Sequence, residues 1–282
     1  MRLVSYLEGG AQRFGLLDGG LVTEIPDAAS IVGLAAAIGG KESRNGSRKR
    51  TQGLRLVAPV APLSRNIFCV GWNYPAHFEE GKGIRGDGAQ QEIPERPAFF
   101  TKATGTLIGP IDPISAHRAV TETLDWEVEL AIVLGTGGRD ISEASAPEHV
   151  LGYAVANDVS ARNVQRAHGG QWFRGKSLDA TCPIGPWIVT PDELGDLEGL
   201  EITCRVNGET MQAAVLGDMH FGVMRVIAEL SRGLTLLPGD VILTGTPPGV
   251  GFARTPPRYL AVGDVVESEI AGIGTLRNEV VD

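Results

Sequence analysis

The sequence predicts an α+β fold rich in strands and poor in helices, and three observations carry that expectation. Glycine makes up 38 of 282 residues, nearly twice the usual share of about 7%, and it recurs between runs of β-branched residues. Asp18-Gly19-Gly20 and Asn207-Gly208 stand between such runs as hairpin signals. Helical periodicity is confined to short segments, chiefly Met219 to Ser231, where Phe221, Met224, Ile227, Ala228 and Ser231 share a face. With 43% hydrophobic and 21% charged residues, the chain can bury a core and does not have the composition of a disordered one.

In chain order, residues 1–26 read as short strands separated by Gly9-Gly10 and Gly19-Gly20, followed by the apolar stretch IVGLAAAIGG. The segment 41–53, KESRNGSRKRTQG, is polar and basic without hydrophobic anchors, so it reads as an exposed connection. It marks a small N-terminal β unit with its linker at residues 1–53, ahead of a larger unit at 54–282. After Pro62, IFCVGWNY predicts a strand and AHFEE a helical piece, and a Gly- and charge-rich loop runs from Gly81 to Arg96. Strands are expected at Ala98 to Thr101, Asp125 to Leu134 and Leu151 to Asn157, with a helix capped by Ser160. A hairpin joins Ile202 to Val206 with Thr210 to Ala214, Gly233 stops the helix that begins at Met219, and the remainder is strand and turn.

Twenty-five Lys and Arg against 34 Asp and Glu leave a formal charge of −9 and a pI near 5.1, which disfavours a nucleic-acid surface. The basic run at 41–53 is short and lacks aromatics, so a solvated loop explains it. The N-terminus lacks the apolar region of a signal peptide, and no run approaches the ~18 apolar residues of a membrane span; a cytoplasmic, membrane-free protein is expected. Cys69, Cys182 and Cys204 are odd in number and widely spaced, as reduced buried thiols would be.

The segment LDWEVELAIVLG alternates strictly, with Leu124, Trp126, Val128, Leu130, Ile132 and Leu134 on one face and Asp125, Glu127, Glu129, Ala131 and Val133 on the other. An acidic strand facing water is the ordinary explanation, but the second face turns apolar at Ala131 and Val133, as a covered face would. Carboxylates at i and i+2, about 7 Å apart, repel by about 2 kcal/mol at an effective dielectric near 20. A covered pair therefore needs protons or a cation. Asp158 closes the apolar strand before it; Asn157-Asp158 alone reads as a turn, but Glu127, Glu129 and Asp158 together form an all-oxygen set suited to Mg²⁺ or Mn²⁺ and less to Ca²⁺. His77 and Glu80, three apart, share a side if helical, either as a surface ion pair or as a water-activating dyad. The adjoining loop favours the dyad, delivered as a lid over substrate. Lys176, between apolar and Gly/Pro elements, is either a loop lysine or the holder of an anionic group or enolate. In LTGTPPGVG, Thr244 and Thr246 end a strand before a turn whose amides can bind a carboxylate.

Five segments, GWNYPAHFEE, LDWEVELAIVLG, GYAVANDVSARNVQ, GKSLDATCPIGPW and PGDVILTGTPPGVG, together resemble the fumarylacetoacetate hydrolase family, from about Asn66 to Asn278. The resemblance implies a catalytic fold of mixed β-sheets, of sandwich or roll type, and a homodimer. It also implies one Mg²⁺ or Mn²⁺ on Glu127, Glu129 and Asp158, with Ca²⁺ as an in vitro substitute, and a water-activating pair at His77 and Glu80. Substrate contacts follow at Gln165, Lys176 and Thr246, with Arg162 at a position that binds substrate in some members; Lys102 is placed with them. The activity implied is C–C bond hydrolysis of a small-molecule 2-oxo acid through a metal-stabilised enolate. Decarboxylation, or isomerisation of unsaturated 2-oxo diacids, is the alternative within the family. Trp72 stands at a variable position, and the segment between His77 and Lys102 is longer than in compact members, so substrate size is open. Metal-dependent phosphoester hydrolysis would need a second metal or phosphate clamps that are not evident. A β domain with structural Ca²⁺ would explain the carboxylates but not His77, Glu80 and Lys176.

Overall fold

The computed structural model describes residues 1–26, 28–39, 46–84 and 92–282. The N-terminal strands β1 (Arg2–Glu8), β2 (Ala11–Asp18) and β3 (Leu21–Glu24) are joined by the two tight turns expected. Helix α1 (Ile31–Gly39) takes up the apolar stretch. The exposed connection expected at 41–53 holds only in part. Residues 41–45 lie outside the described residues, but β4 (Arg48–Arg50) is an edge strand paired with β3. Lys49 explains why a basic run can enter a sheet: its ammonium pairs with Glu8 and Glu24 and lies over the Tyr6 ring, and charged residues suit a sheet edge.

The chain continues through β5 (Arg55–Val57), β6 (Ile67–Gly71), α2 (Pro75–Glu80), β7 (Ala98–Lys102), β8 (Leu107–Ile108), β9 (Ile114–Ser115), β10 (Leu124–Asp125) and β11 (Val128–Leu134). Next come β12 (Val150–Asn157), β13 (Ser160–Ala161), α3 (Arg162–Ala167), α4 (Phe173–Lys176), β14 (Cys182–Val189) and α5 (Pro191–Leu194). The C-terminal part holds β15 (Glu201–Val206), β16 (Glu209–Val215), α6 (Val223–Ser231), β17 (Val241–Leu243), β18 (Val265–Ile270) and β19 (Gly274–Val281).

A 12-stranded mixed sheet runs β4-β3-β2-β1-β14-β12-β11-β17-β6-β7, with β5 on β1 and β8 on β14. The β17–β6 and β14–β8 pairs are parallel, whereas β11 pairs antiparallel with both β12 and β17. A five-stranded sheet, β16-β15-β18-β19-β9, packs on one face of it. Segment 1–53 joins the large sheet through Arg2↔Val189 and Leu3↔Ile188. Cys69, Cys182 and Cys204 are free and buried, and no helix among the described residues is long and apolar enough to cross a membrane.

β11 carries the alternation that the sequence showed. Val128, Leu130, Ile132 and Leu134 enter the core against Ile202, Val266, Ile270 and Leu276 of the second sheet, while Ala131 and Val133 enter a separate core with Ile31 and Leu34 of α1. The single strand expected from Asp125 is broken, because β10 leaves the ladder to pair with β13. Ser160 lies in β13 rather than capping a helix; α3 starts at Arg162, and no side chain caps it. Helix α6 begins at Val223 rather than Met219. The intervening backbone is held by Asn73, which accepts the His220 N–H on its carbonyl oxygen and exchanges side-chain bonds with both backbone groups of Phe221.

Burial on both faces makes β11 a strand that tolerates little loss of volume. Ile132→Ala should cost about 2–5 kcal/mol, read from equilibrium urea unfolding with α6 and both hairpins intact; a loss below 1 kcal/mol would contradict this packing.

Candidate metal and proton-transfer site

β11 and β12 lie side by side in the large sheet, and the site is built where their shared ladder ends. Val128 pairs with Asn157 and Glu129 with Ala156. Beyond that rung the Asp158 N–H donates to the Glu127 carbonyl at 2.8 Å, and the Glu127 N–H donates to Asn157 Oδ1 at 2.9 Å. These bonds turn Glu127, Glu129 and Asp158 towards one point, and one carboxylate oxygen from each lies within 4.8 Å of the others. All three side chains are buried. Two full charges at that separation repel by about 3 kcal/mol at an effective dielectric near 20.

Three buried cations answer that repulsion. Lys176 Nζ lies 2.5 Å from Glu127 Oε2 and 2.7 Å from Asp158 Oδ2. Lys102 Nζ lies 2.8 Å from Asp158 Oδ1 and donates to the Val159 carbonyl at 3.1 Å. Arg162 Nη2 lies 2.6 Å from Glu127 Oε1, and Nε donates to Asp125 Oδ2 at 2.8 Å. Burial alone would raise the Glu127 carboxyl, but Arg162 and then Lys176 bring it down to about 2. Burial, Asp158 and Glu127 push Glu129 well above the carboxylate range. Burial opposes the charge on Lys176, but Asp158 and Glu127 outweigh it and raise the ammonium.

The donor set fits a divalent cation on two counts. Four buried acids, Asp125, Glu127, Glu129 and Asp158, face three buried cations, Lys102, Arg162 and Lys176, so one negative charge stays uncompensated. It falls on Glu129, which accepts the Gly245 N–H at 2.7 Å, has no lysine or arginine within 4.0 Å among the described residues, and holds a proton that a divalent cation would displace. Asp158 Oδ1 is buried and makes no hydrogen bond, since the nearby Lys102 ammonium lies outside hydrogen-bonding direction. All-oxygen donors favour Mg²⁺ or Mn²⁺.

His77 and Glu80 share one side of α2, with His77 Nδ1 2.7 Å from Glu80 Oε1. The other carboxylate oxygen of Glu80 accepts the Gly249 N–H at 2.8 Å. Glu80 is therefore an acceptor on both oxygens, which makes Nδ1 the donor and leaves Nε2 as the basic nitrogen. A positive charge on the His77 ring would help to lower the Glu127 carboxyl, which places the ring near the cradle. The dyad is thus docked against the turn after β17; the lid expected from the loop at 81–96 falls on a segment of which residues 85–91 lie outside the described residues.

Lys176 reaches the cradle because α4 packs tightly on α3. A Cβ on Gly175 would sit 2.4 Å from the Gln165 backbone nitrogen, so only glycine allows this approach. Gln165 Oε1 accepts from Arg162 Nη1 at 3.3 Å. Thr246 is buried behind β11, donating its hydroxyl to the Val128 carbonyl at 2.9 Å and accepting from Gln212 Nε2 at 2.8 Å. The structure thus gathers the three acids with Lys102, Arg162, Gln165 and Lys176, and sets Thr246 one layer back. Sequence reasoning missed Asn73, Asp125 and Gln212. Asp125 stood on the acidic face of the alternating segment, a signal that could have found it; Asn73 and Gln212 are lone polar residues in ordinary contexts.

Residues 66–281 match the family model described as fumarylacetoacetate (FAA) hydrolase C-terminal. The chain is 44% identical over 227 residues to oxaloacetate tautomerase YisK of Bacillus subtilis, covering 80% of this chain and 73% of that protein. It is 44% identical over 228 residues to a mitochondrial oxaloacetate tautomerase of Homo sapiens, covering 80% of this chain and 70% of the relative. A solved fumarylacetoacetate hydrolase from Exiguobacterium antarcticum superposes with a TM-score of 0.86 at 41% identity, covering 100% of this chain and 99% of the other. A 5-carboxymethyl-2-hydroxymuconate delta-isomerase from Mycobacterium smegmatis does so at 0.80 and 36%, with the same coverage.

Glu127→Gln and Asp158→Asn should each weaken Mn²⁺ binding at least tenfold by calorimetry while the circular dichroism spectrum is kept; unchanged affinity in both would remove the metal assignment. Lys176→Met should act oppositely on the metal. With a competing cation gone from beside Glu127 and Asp158, Mn²⁺ should bind several-fold more tightly, and turnover should be lost.

Proposed function

The chain belongs to the fumarylacetoacetate hydrolase family, and from that premise we propose that it is a divalent-metal-dependent keto–enol tautomerase of a 2-oxo diacid of the oxaloacetate type. The observation that carries this reading is a single docked base beside a carboxylate cradle that also holds a protonated lysine. The names of the similar tautomerases and isomerases support it over C–C hydrolysis, the activity expected from the family resemblance. The proposal also takes the protein as a cytoplasmic homodimer acting on a small molecule.

Tautomerisation moves one proton between C3 and the C2 oxygen. His77 Nε2 takes the C3 proton, while Glu80 holds Nδ1–H and so favours the tautomer in which Nε2 carries the lone pair. His77 then passes that proton to the C2 oxygen, beside which Lys176 keeps its own proton and stabilises the charge that develops as the carbonyl becomes an enol. A divalent cation on Glu127, Glu129 and Asp158 supplies Lewis acidity for the negative charge that develops there. Arg162 and Gln165 bind the substrate carboxylates. Lys102, fully buried, keeps Asp158 aimed inwards, and Thr246 keeps β11 and the following turn in register.

Hydrolysis would use the same groups but would require His77 to activate a water. The decisive measurement compares loss of the ultraviolet absorbance of enol-oxaloacetate with cleavage of acetylpyruvate under Mg²⁺ or Mn²⁺. Faster tautomerisation is expected, and His77→Ala should slow it by about 10²–10⁴-fold while oxalate affinity stays within about twofold. Acetylpyruvate cleavage with the higher kcat/KM would return the protein to the hydrolases.

A further inference from the structure

Asp125 takes no part in the proton transfer described above, yet its carboxylate is fully buried and accepts four hydrogen bonds. Oδ1 accepts from the Trp126 N–H at 2.9 Å and the Gly251 N–H at 2.7 Å. Oδ2 accepts from the Phe252 N–H at 3.1 Å and from Arg162 Nε at 2.8 Å. The turn comes this close because residue 251 is glycine; a Cβ there would lie 2.7 Å from Asp125 Oδ1 and 2.0 Å from the Arg258 carbonyl oxygen.

Neutralising Arg162 would need only a nearby negative charge. The arrangement around Asp125 does more, because it holds one planar group by a hydrogen bond at Nε and by a ring against its face, while Nη2 is in ionic contact with Glu127 without a hydrogen bond. Nε is held by Asp125, Nη2 lies 2.6 Å from Glu127 Oε1, and the guanidinium rests on the Phe252 ring with 4.5 Å to its centroid. Phe252 itself is held by its N–H on Asp125. The remaining arm, Nη1, has among the described residues only the 3.3 Å contact with Gln165 Oε1 and so keeps a donor for a ligand carboxylate. The same turn reaches the proton-transfer dyad, since Gly249 donates its N–H to Glu80 and its carbonyl accepts from Trp126 Nε1 at 3.2 Å.

We propose that Asp125 is a positioning residue that sets the plane of the Arg162 guanidinium, so that Nη1 presents to a substrate carboxylate, and that locks this plane to the turn whose Gly249 N–H holds Glu80. The proposal rests on the reading of Arg162 as a substrate arm.

The test is a double-mutant cycle on the Mn²⁺-loaded enzyme, read by calorimetry with oxalate, a dicarboxylate that mimics a 2-oxo acid and does not react. Asp125→Asn should raise the oxalate Kd at least fivefold when Arg162 is present and less than twofold in an Arg162→Gln background. Asp125→Glu keeps the charge but displaces the guanidinium by one methylene. It should weaken oxalate several-fold with Arg162 present and show the same coupling, whereas simple neutralisation would leave it equal to the parent. If Asp125→Asn fails to fold, the Asp125→Glu cycle decides alone. Equal losses in both backgrounds, or parental affinity in Asp125→Glu, would overturn the proposal. Because oxalate binding is read without turnover, coupling in an enzyme that does not tautomerise oxaloacetate rejects the reaction and keeps the role of Asp125. Additivity in an active enzyme rejects the role and keeps the reaction.

Discussion

The structure depends on how four carboxylates are kept at the buried end of β11 and β12. Burying an unpaired charge costs several kcal/mol, so the chain brings Lys102 from β7, Arg162 from α3 and Lys176 from α4 to the same point. Each cation comes from a different element, and each element must be held in place for the charges to balance. The central sheet supplies this rigidity. β11 is buried on both faces, so its acidic end cannot shift without disturbing two cores. The compensation is incomplete at Glu129, whose carboxyl is pushed up so that it keeps a proton, and that shortfall is what suits the cradle to a further cation.

A second convergence forms around the turn that follows β17. Gly245 holds Glu129, Gly249 holds Glu80, and Gly251 and Phe252 hold Asp125, all through backbone N–H groups. Backbone donors carry no side-chain entropy to lose and need no charge of their own, so they orient carboxylates without adding to the electrostatic load. One short stretch of chain thereby sets the relative positions of β11, the His77–Glu80 pair and Arg162. Asn73 adds a further tie, donating to the Thr244 carbonyl at 2.7 Å while it fixes the start of α6.

The parts of this arrangement that rest on local periodicity were legible in the sequence. The alternation from Leu124 to Leu134 placed Glu127 and Glu129 on one face, and the i, i+3 spacing placed His77 beside Glu80. The hairpin at Asn207-Gly208 pairs Val206 with Glu209 as its dipeptide required. What was not legible depends on contacts between residues distant in the chain. Asp125 looked like one more acid on the strand, because its partners at Arg162, Gly251 and Phe252 are brought to it only by the fold. The break between β10 and β11, the late start of α6 and the strand at Arg48–Arg50 have the same origin: a tertiary bond, to β13, to Asn73 or to Glu8 and Glu24, overrides the local pattern. Lys176 stood out by its place between apolar and Gly/Pro elements, whereas Lys102 sits in unremarkable local sequence, and it is burial among carboxylates that distinguishes both from solvated lysines.

The chain's own groups also bear on the choice between proton shift and hydrolysis. Glu80 is committed on both oxygens, to His77 and to Gly249, so within the dyad a single nitrogen remains to exchange a proton with the ligand. One such site is sufficient to take a proton from C3 and deliver it to the C2 oxygen. Hydrolysis asks more of that nitrogen, because it must activate water and the leaving carbanion must then be protonated from elsewhere. Lys176 is the nearest donor to the cradle, but its ammonium is tied to Glu127 and Asp158, and its proton is held more firmly than in a free lysine. A lysine so placed stabilises an oxygen as its charge develops more readily than it surrenders a proton to carbon. The balance of groups therefore favours a reaction in which the proton that His77 takes from C3 is the one it passes to the C2 oxygen.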